Sequence, residues 1–263
     1  IDMSPSSTAT TITILGSGTS TGVPVIGCDC AVCASSDPRN KRTRASILIS
    51  GKEGNILVDT STDLRFQALS NNIRRISAVL FTHAHADHIH GIDELRSFNF
   101  IQKERIPCYG DRKTVDKITS MFSYIFEGTW KGGGIPRLEM NPVEAGDFKV
   151  LGKTIRAVPV MHGDLQIFAY RFGDFAYVTD CSGIQPESMK MLEGLDLLIL
   201  GALKYSPHTT HFSVQQALEV VQLLRPRRTI LTHMGHEIDY EKASKELPEG
   251  VEPGYDGMRI DLK

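Results

Sequence analysis

The densest group of potential metal ligands lies in the segment His83-Ala84-His85-Ala86-Asp87-His88. Imidazole and carboxylate groups together suit a divalent transition metal such as zinc or manganese, and four of them exceed what one catalytic ion usually takes from a protein. The apolar run at residues 76–81 predicts a buried strand that ends where the motif begins. The segment therefore predicts a site for two ions, and a histidine-rich surface turn is the alternative.

Three cysteines form a second candidate site. Cys28, Cys30 and Cys33 lie close together in a chain with five cysteines and no apolar secretory signal, which favours a metal over a disulfide. A structural zinc usually takes four ligands, and His236 is the candidate for the fourth. A redox-active or simply buried cysteine trio is the alternative.

Further metal-type residues follow other predicted strands. His162, Asp180 and His233 each come directly after an apolar segment, as His83 does. Loops at strand ends commonly carry the active sites of α/β proteins because they bring distant parts of the chain together. The pattern predicts that these residues converge at one edge of a sheet.

The elements that must position these residues are mostly strands. Ser213 and Gln216 form a capping box for a helix whose apolar residues continue to Leu224 and stop at Pro226. Cys108 is expected to pack in a strand. Besides residues 76–81, the predicted strands span residues 11–15, 45–49, 55–58, 154–160, 167–172, 175–179, 196–200 and 229–232.

Length and composition fit one large α/β domain. The chain has 263 residues, of which 41% are hydrophobic and 23% charged, with a formal net charge of -2. We expect a flexible polar tail at residues 1–10 and a single domain at residues 11–263. No apolar stretch approaches the about 18 residues that cross a membrane, so a cytoplasmic protein is expected. The basic clusters at residues 41–44 and 225–228 are interpreted as solvated surface, which makes a nucleic-acid partner unlikely on charge grounds.

Several motifs together resemble the metallo-β-lactamase superfamily, and within it the PhnP-type phosphodiesterases. Beyond the H-x-H-x-D-H motif, the resemblance rests on segments spread over nearly the whole chain. These are Gly16-Ser17-Gly18-Thr19-Ser20, Gly22-Val23-Pro24, Gly27-Cys28-Asp29-Cys30, Thr232-His233-Met234-Gly235-His236 and Tyr255-Asp256-Gly257-Met258. The resemblance implies a four-layer αββα sandwich, of the α/β class, with two metals at one edge of the sheets.

The resemblance also implies roles for individual residues. One catalytic ion would be bound by His83, His85 and His162, and the other by Asp87, His88 and His233, with Asp180 as the bridge. A separate structural zinc would be bound by Cys28, Cys30, Cys33 and His236. Asp59 resembles an aspartate that orients the histidine motif from behind, although an ordinary turn aspartate is the alternative.

The resemblance implies hydrolysis of small phosphodiesters, cyclic ones included. A hydroxide shared by two divalent ions about 3.5 to 4 Å apart would attack phosphorus in line, and the ions would stabilise the oxygens that gain charge. His211 resembles the family histidine that protonates the leaving group, and His208 is its competitor. With Asp180, His211 completes the predicted catalytic residues.

Two features leave questions open. Residues 121–137, which include Trp130, combine aromatic residues with glycines and predict either a substrate flap or aromatic packing on the domain or on a homodimer partner. Gly201 stands where the relatives usually carry an acidic residue, which puts the strength of the activity in doubt.

Three other functions share parts of this pattern. A nuclease of the transfer-RNA 3′-processing type shares the metal motif but requires more positive charge. A cofactor-biosynthesis protein related to the pyrroloquinoline quinone pathway also carries a cysteine loop. A non-enzymatic metal-binding protein is the alternative from a different class.

Overall fold

The computed structural model describes residues 10–128 and 134–262. Thr10, the last residue of the predicted tail, already lies in a strand, paired with Leu262. Within the described ranges, fourteen strands form two seven-stranded sheets.

The first sheet combines antiparallel and parallel pairs. Its strands are β1 (Thr10–Gly16), β2 (Ser46–Gly51), β3 (Gly54–Val58), β4 (Ala78–Leu80), β5 (Ile106–Gly110), β6 (Leu138–Pro142) and β14 (Arg259–Leu262). Their order is β14-β1-β2-β3-β4-β5-β6. β14 to β3 pair antiparallel, and β3 to β6 pair parallel.

The second sheet repeats this division. Its strands are β7 (Gly146–Val150), β8 (Lys153–His162), β9 (Leu165–Phe172), β10 (Phe175–Val178), β11 (Leu197–Gly201), β12 (Arg228–Thr232) and β13 (Val251–Pro253). Their order is β13-β12-β11-β10-β9-β8-β7. β7 to β10 pair antiparallel, and β10 to β13 pair parallel.

Nine helices lie within the described ranges. They are α1 (Ala31–Ala34), α2 (Leu64–Ser70), α3 (Ala86–Ile89), α4 (Leu95–Gln102), α5 (Arg112–Met121), α6 (Ser123–Phe126), α7 (Pro186–Met191), α8 (Val214–Leu224) and α9 (Tyr240–Glu246). Short 3-10 turns occupy Pro38–Asn40 and Ile92–Glu94. No helix in the described part of the chain is long and apolar enough to cross a membrane.

Alternating side chains divide the core into three apolar layers. In β11, Leu197 and Ile199 pack between the two sheets, whereas Leu198 and Leu200 pack under the helices of the second sheet. In β3, Leu57 faces the helices of the first sheet. Successive strand residues point to opposite faces, so strands buried on both faces read as continuous apolar runs. The predicted αββα sandwich is confirmed.

Helix α8 forms as its sequence predicts. Ser213 caps the helix, and its hydroxyl and the Gln216 side chain make the reciprocal bonds of a capping box. Arg225 then adopts a left-handed conformation, and Pro226 cannot continue the helix. The cap fixes the start of this helix two residues after His211.

Candidate metal centres

Three residues beside the candidate centre adopt a backbone conformation that is rare for side-chain-bearing residues. Asp59, Asp180 and His233 follow β3, β10 and β12, and their φ angles are 63°, 51° and 55°. The left-handed region is uncommon outside glycine and costs about 1–3 kcal/mol for each residue. The surrounding packing therefore holds these side chains in place against a local preference.

The first ligand group consists of His83, His85 and His162. One ring nitrogen of each lies within 4.8 Å of the others. The rings of two members are fixed from behind, since His162 Nδ1 lies 2.7 Å from the Thr210 carbonyl oxygen and His83 Nδ1 lies 3.0 Å from Thr82 Oγ1. His83 and His162 are buried, whereas His85 is exposed and gives the group access to solvent.

The second ligand group consists of Asp87, His88, Asp180 and His233, again within 4.8 Å. His88 Nε2 lies 3.2 Å from a carboxylate oxygen of both Asp87 and Asp180. Asp180 also reaches His233 Nε2 at 3.1 Å and His83 Nε2 of the first group at 3.9 Å. Asp180 is therefore the residue that connects the two groups.

Asp59 supports the histidine motif from behind. Its fully buried carboxylate accepts hydrogen bonds from the Thr82 amide and hydroxyl, both at 2.8 Å, and lies 2.7 Å from His88 Nδ1. With Nδ1 donating to Asp59, the Nε2 atom of His88 faces the second group. Thr82, which no motif in the sequence singles out, connects the same carboxylate to His83.

The carboxylates of the second group carry negative charge. Burial alone would raise the pKa of Asp180, but the neighbouring His233 and His88 hold it well below its ordinary value. Burial would also raise the pKa of Asp87, but its contacts with His233 and His88 lower it below the ordinary value. Two buried carboxylates without a lysine or arginine partner in the described part of the chain suit a bound cation.

Unpaired ligand atoms test whether metal ions fit these groups. Close contact with a carboxylate is not a hydrogen bond here, because the buried atoms that form no hydrogen bond within residues 10–128 and 134–262 include His83 Nε2, Asp87 Oδ2, His88 Nε2 and both ring nitrogens of His233. An unpaired buried polar atom costs about 1–3 kcal/mol. Cations bound to the two groups would remove most of this cost, so the residues fit divalent metals.

His211 lies against both groups. Its ring centroid is 4.7 Å from that of His162 and 4.8 Å from that of His233. Burial and then the charge of His233 lower the pKa of His211 to about 3. The His208 ring lies 5.3 Å from the His211 ring, tilted against it, and His208 belongs to none of the clusters of ligand atoms found within the described residues. His211 thus lies nearer to the ligand groups than its competitor His208 does.

The cysteines and His236 form a separate cluster. Nδ1 of His236 lies 3.3, 3.5 and 3.6 Å from the Sγ atoms of Cys28, Cys30 and Cys33. A tetrahedral zinc with bonds of about 2.3 Å to sulfur and about 2.05 Å to nitrogen separates such atoms by about 3.6 Å. All five cysteines are free, and the Cys33 amide hydrogen bond lowers the pKa of Cys30 to about 6. This cluster fits a zinc ion.

Arg42 corrects the interpretation of the basic cluster at residues 41–44 as solvated surface. Its side chain is 2% exposed and donates to the carbonyl oxygens of Gly235 at 3.0 Å and Ile238 at 2.7 Å. Burial lowers the pKa of Arg42 to about 10, so the group stays charged at neutral pH. The sequence did not reveal this because an arginine that donates to backbone carbonyls needs no acidic partner in a motif.

The glycine motif at residues 16–20 and the aspartate motif at residues 255–258 contact each other beside the candidate metal centres. The Ser17 amide and hydroxyl donate to Asp256 Oδ1 at 2.9 and 2.8 Å, and Thr43 donates to Oδ2 of the same residue. A Cβ atom on Gly18 would lie 2.9 Å from Cβ and the carbonyl oxygen of Arg42. The two motifs therefore hold Ser17 and Gly18 tightly against the segment at residues 42–43.

The aromatic segment at residues 121–137 lies partly outside the described residues, since residues 129–133, including Trp130, are not described. Phe122 and Phe126 pack on the apolar layer under the helices of the first sheet. The Tyr124 hydroxyl donates to Asp93 at 2.8 Å. These contacts agree with the alternative in which the aromatic side chains of this segment pack on the domain.

Residues 54–234 match the family described as the beta-lactamase superfamily domain. The chain belongs to the metallo-β-lactamase superfamily. A solved structure described as a new diphosphatase from the PhnP family is 40% identical, with a TM-score of 0.90, over 97% of this chain and 98% of that one. The metallo-β-lactamase superfamily and the PhnP resemblance recognised in the sequence are thereby confirmed.

Two curated relatives also match this chain. The octanoyltransferase of Porphyromonas gingivalis is 36% identical over 256 residues, which are 95% of this chain and 51% of that protein. The ribonuclease Z of a Bradyrhizobium species is 29% identical over 145 residues, covering 53% of this chain and 47% of that protein. The chain spans about half the length of the curated relatives it matches.

Proposed function

We propose that the protein is a metal-dependent phosphodiesterase that acts on small phosphodiesters, cyclic ones included. The observation that carries the proposal is the pair of ligand groups connected by Asp180. The likeness to a diphosphatase of the PhnP family supports phosphorus, rather than an acyl carbon, as the atom attacked.

The ligand roles follow the two groups. His83, His85 and His162 would hold one ion, Asp87, His88 and His233 the other, and Asp180 would bridge them. Bound zinc or manganese ions supply Lewis acidity and make water nucleophilic at neutral pH. Asp87 and Asp180 offset part of the ionic charge, so the centre stays positive enough to attract an anionic diester.

His211 is the proposed proton donor to the leaving group. It lies beside both ligand groups, is half-buried, and is held rigidly because the Phe212 amide donates to the Cys181 carbonyl oxygen at 2.6 Å. A positioned general acid contributes about 10²- to 10⁴-fold to such reactions. Cys28, Cys30, Cys33 and His236 would bind a structural zinc away from the reacting atoms.

A hydrolysis panel tests the proposed function. Metal-loaded protein would be assayed on an activated phosphodiester, a ribose cyclic phosphate, a diphosphate diester, a β-lactam and an octanoyl thioester, with Asp180→Ala as the paired variant. We expect turnover of the phosphorus esters and loss of most of it in Asp180→Ala. Activity limited to the β-lactam or thioester, or full diester hydrolysis by Asp180→Ala, would contradict the proposal.

Ribonuclease activity is the second candidate. Its support is the ribonuclease Z of Bradyrhizobium, which matches 53% of this chain. A transfer-RNA precursor belongs in the same panel. Cleavage of that RNA in preference to the small diesters would replace the proposed substrate class while keeping the metal centre.

A further inference from the structure

A cavity of about 790 Å³ opens on the outer face of α4. Its volume lies within the range of ligand pockets, which span about 300–1,000 Å³. One wall is α4, and the other is the segment at residues 134–137 that leads into β6. None of the residues that line it belongs to a cluster of ligand atoms found within the described residues, so the cavity is separate from the candidate metal centres.

The apolar side chains that line this cavity are open to solvent. Phe100 is 75% exposed and Ile101 is 64% exposed, although Leu95 and Phe98 of the same helix are buried in the core. Ile135 adds a half-buried apolar side chain from the facing segment. Contiguous exposed apolar surface commonly marks a binding site. The cavity therefore offers an apolar surface to a ligand.

Positive charge lies beside this apolar surface. Among the described lining residues, Arg96, Lys103 and Arg137 are cationic and none is acidic. Arg96 pairs with Asp93 at 3.0 Å. The other two form no ion pair with a carboxylate of residues 10–128 or 134–262, and Lys103 Nζ instead lies 4.1 Å from the centroid of the Phe100 ring. Two cations are thus available to an external anion.

Asn99 fixes the two walls of the cavity relative to each other. Its buried side-chain amide donates to the Arg137 carbonyl oxygen at 3.0 Å and accepts from the Arg137 amide at 2.8 Å. The Lys103 amide donates to the Asn99 carbonyl oxygen at 2.9 Å. These bonds place both available cations at the C-terminal end of α4. A preformed site loses less entropy when a ligand binds.

We propose that this cavity, the α4 groove, binds an anionic amphiphile as a free monomer, such as a fatty acid anion. Its aliphatic chain would lie against Phe100 and Ile101, and its head group against Lys103 and Arg137. A second copy of the chain fits less well, because a symmetric interface would bring the same cations together. The proposal does not depend on the phosphodiesterase activity.

Decyl probes with different head groups test the α4 groove. Decanesulfonate, decyl glucoside and decyltrimethylammonium share one chain and differ in head-group charge, and the sulfonate replaces a carboxylate because carboxylates also ligate metal ions. Calorimetry on the metal-loaded full chain should show the sulfonate binding about tenfold tighter than the glucoside, since one exposed ion pair contributes up to about fivefold. Equal affinities for the three probes would overturn the proposal.

Charge variants test the head-group site. Lys103→Gln with Arg137→Gln should abolish the preference for the sulfonate, and Lys103→Arg with Arg137→Lys should preserve it. Lys52→Gln with Lys190→Gln removes the same charge from exposed positions outside the groove and should also preserve the preference. An equal loss in this control would show that net charge attracts the sulfonate, which would contradict a site at α4.

Apolar variants test the chain site. Phe100→Ser with Ile101→Ser should weaken all three probes by about tenfold, because the chain loses its apolar contacts. Leu69→Ser with Leu223→Ser is the matched control, since these leucines are 65% and 73% exposed and lie outside the groove. Amide NMR shifts caused by decanesulfonate should include Ile135 on the facing wall. Shifts confined to the metal-ligand groups would place the sulfonate there and reject the groove.

Two further measurements address other occupants of the α4 groove. Sedimentation of the wild type reports self-association, and flotation with phosphatidylglycerol vesicles reports binding to a lipid surface. A dimer that dissociates in Phe100→Ser with Ile101→Ser, or vesicle binding without binding of monomeric decanesulfonate, would reject the proposal. None of these measurements depends on turnover, so they decide the groove whatever the outcome of the hydrolysis panel.

Discussion

The backbone is strained at three residues beside the candidate metal centre. Asp59, Asp180 and His233 all adopt left-handed conformations at strand ends, although none is a glycine. In this conformation the side chain leaves the sheet in a direction that an extended residue cannot reach. The sequence places these residues at strand ends, but their φ angles arise only from the packing around them.

Asp59→Asn should weaken metal binding without removing a proposed ligand. The amide retains the shape of the carboxylate but offers a single acceptor oxygen to Thr82 and His88 and carries no charge. Loss of such support typically lowers metal affinity or activity by about 10- to 100-fold. Competition with a chromophoric chelator would measure the affinity.

Asp256→Asn is the matched control for Asp59→Asn. Asp256 is half-buried and also accepts from backbone amides and hydroxyls, but these belong to Ser17 and Thr43, and it contacts no histidine of the motif. The Asp256→Asn substitution should lower the free energy of unfolding by about 1–3 kcal/mol with little change in metal affinity. Equal metal affinities in the two variants would contradict the role of Asp59.

His211→Asn should affect leaving groups unequally. The pKa of His211 is lowered to about 3, so its ring is neutral at pH 7 and donates through N–H. An alkoxide leaving group needs that proton, whereas 4-nitrophenolate does not. We expect kcat to fall by about 10²-fold or more for alkyl diesters and far less for nitrophenyl diesters.

His208→Asn is the comparison for His211→Asn, because His208 lies one ring farther from the ligand groups. It should leave the leaving-group dependence unchanged. If His208→Asn produces the selective loss and His211→Asn does not, the proton donor has been assigned to the wrong histidine.

At the scale of elements, the buried strands were the predictable part. The runs before His83, His162, Asp180 and His233 are apolar because the strands are covered on both faces, and the structure places a strand at each. The boundaries shift by a few residues. The strand predicted at residues 76–81 is shorter in the structure, where it spans only Ala78–Leu80.

The less buried strands were missed for a physical reason. In β7, Asp147 and Lys149 are exposed, and only Val150 is buried. In β6, Pro142 ends a strand in which only Leu138 is buried. Pairing with a neighbouring strand, rather than apolar content, holds these edge strands in place. A single sequence carries no signal for that pairing.

Gly201→Ala should disturb the contact between β11 and β10. An added Cβ would lie 3.2 Å from the Asp180 amide nitrogen and 3.5 Å from Thr179 Cα. Overpacking of this kind costs about 1–3 kcal/mol, and displacement of Asp180 should lower metal content as well. Denaturant unfolding and metal analysis would measure both effects.

Gly183→Ala provides the control for Gly201→Ala. A Cβ at Gly183 meets only Met161 Cβ, at 3.7 Å, which is an ordinary contact. Equal free energies of unfolding in the two variants would show that β11 shifts to accommodate the added Cβ without loss of stability.

At the scale of the whole molecule, the number of bound ions in each variant shows which candidate centre has lost its metal. We expect about three ions per chain by elemental analysis, two at the histidine and aspartate groups and one at the cysteine cluster. Asp180→Ala should lose ions from the first set and keep the zinc, because the cysteine cluster shares no ligand with it. His236→Ala should show the reverse loss.

Thermal unfolding provides an independent measurement of the same ions. Ligands that bind only the folded chain stabilise it by mass action, by about 2.7 kcal/mol at a free concentration a hundredfold above the Kd. Chelation should therefore lower the Tm of the wild type more than that of either variant. An unchanged Tm, or metal lost from both sets in His236→Ala, would contradict independent binding.

The segment His233-Met234-Gly235-His236 supplies one residue to each centre and leaves only two residues between them. Its backbone is tied down on both sides, by Met234 to Ser17 and Thr19 and by Gly235 to Leu203. A single inserted residue would shift one histidine relative to the other. Circular permutation or a chimaeric junction at this loop should therefore fail, and any exchange of the cysteine loop between relatives must carry this segment with it.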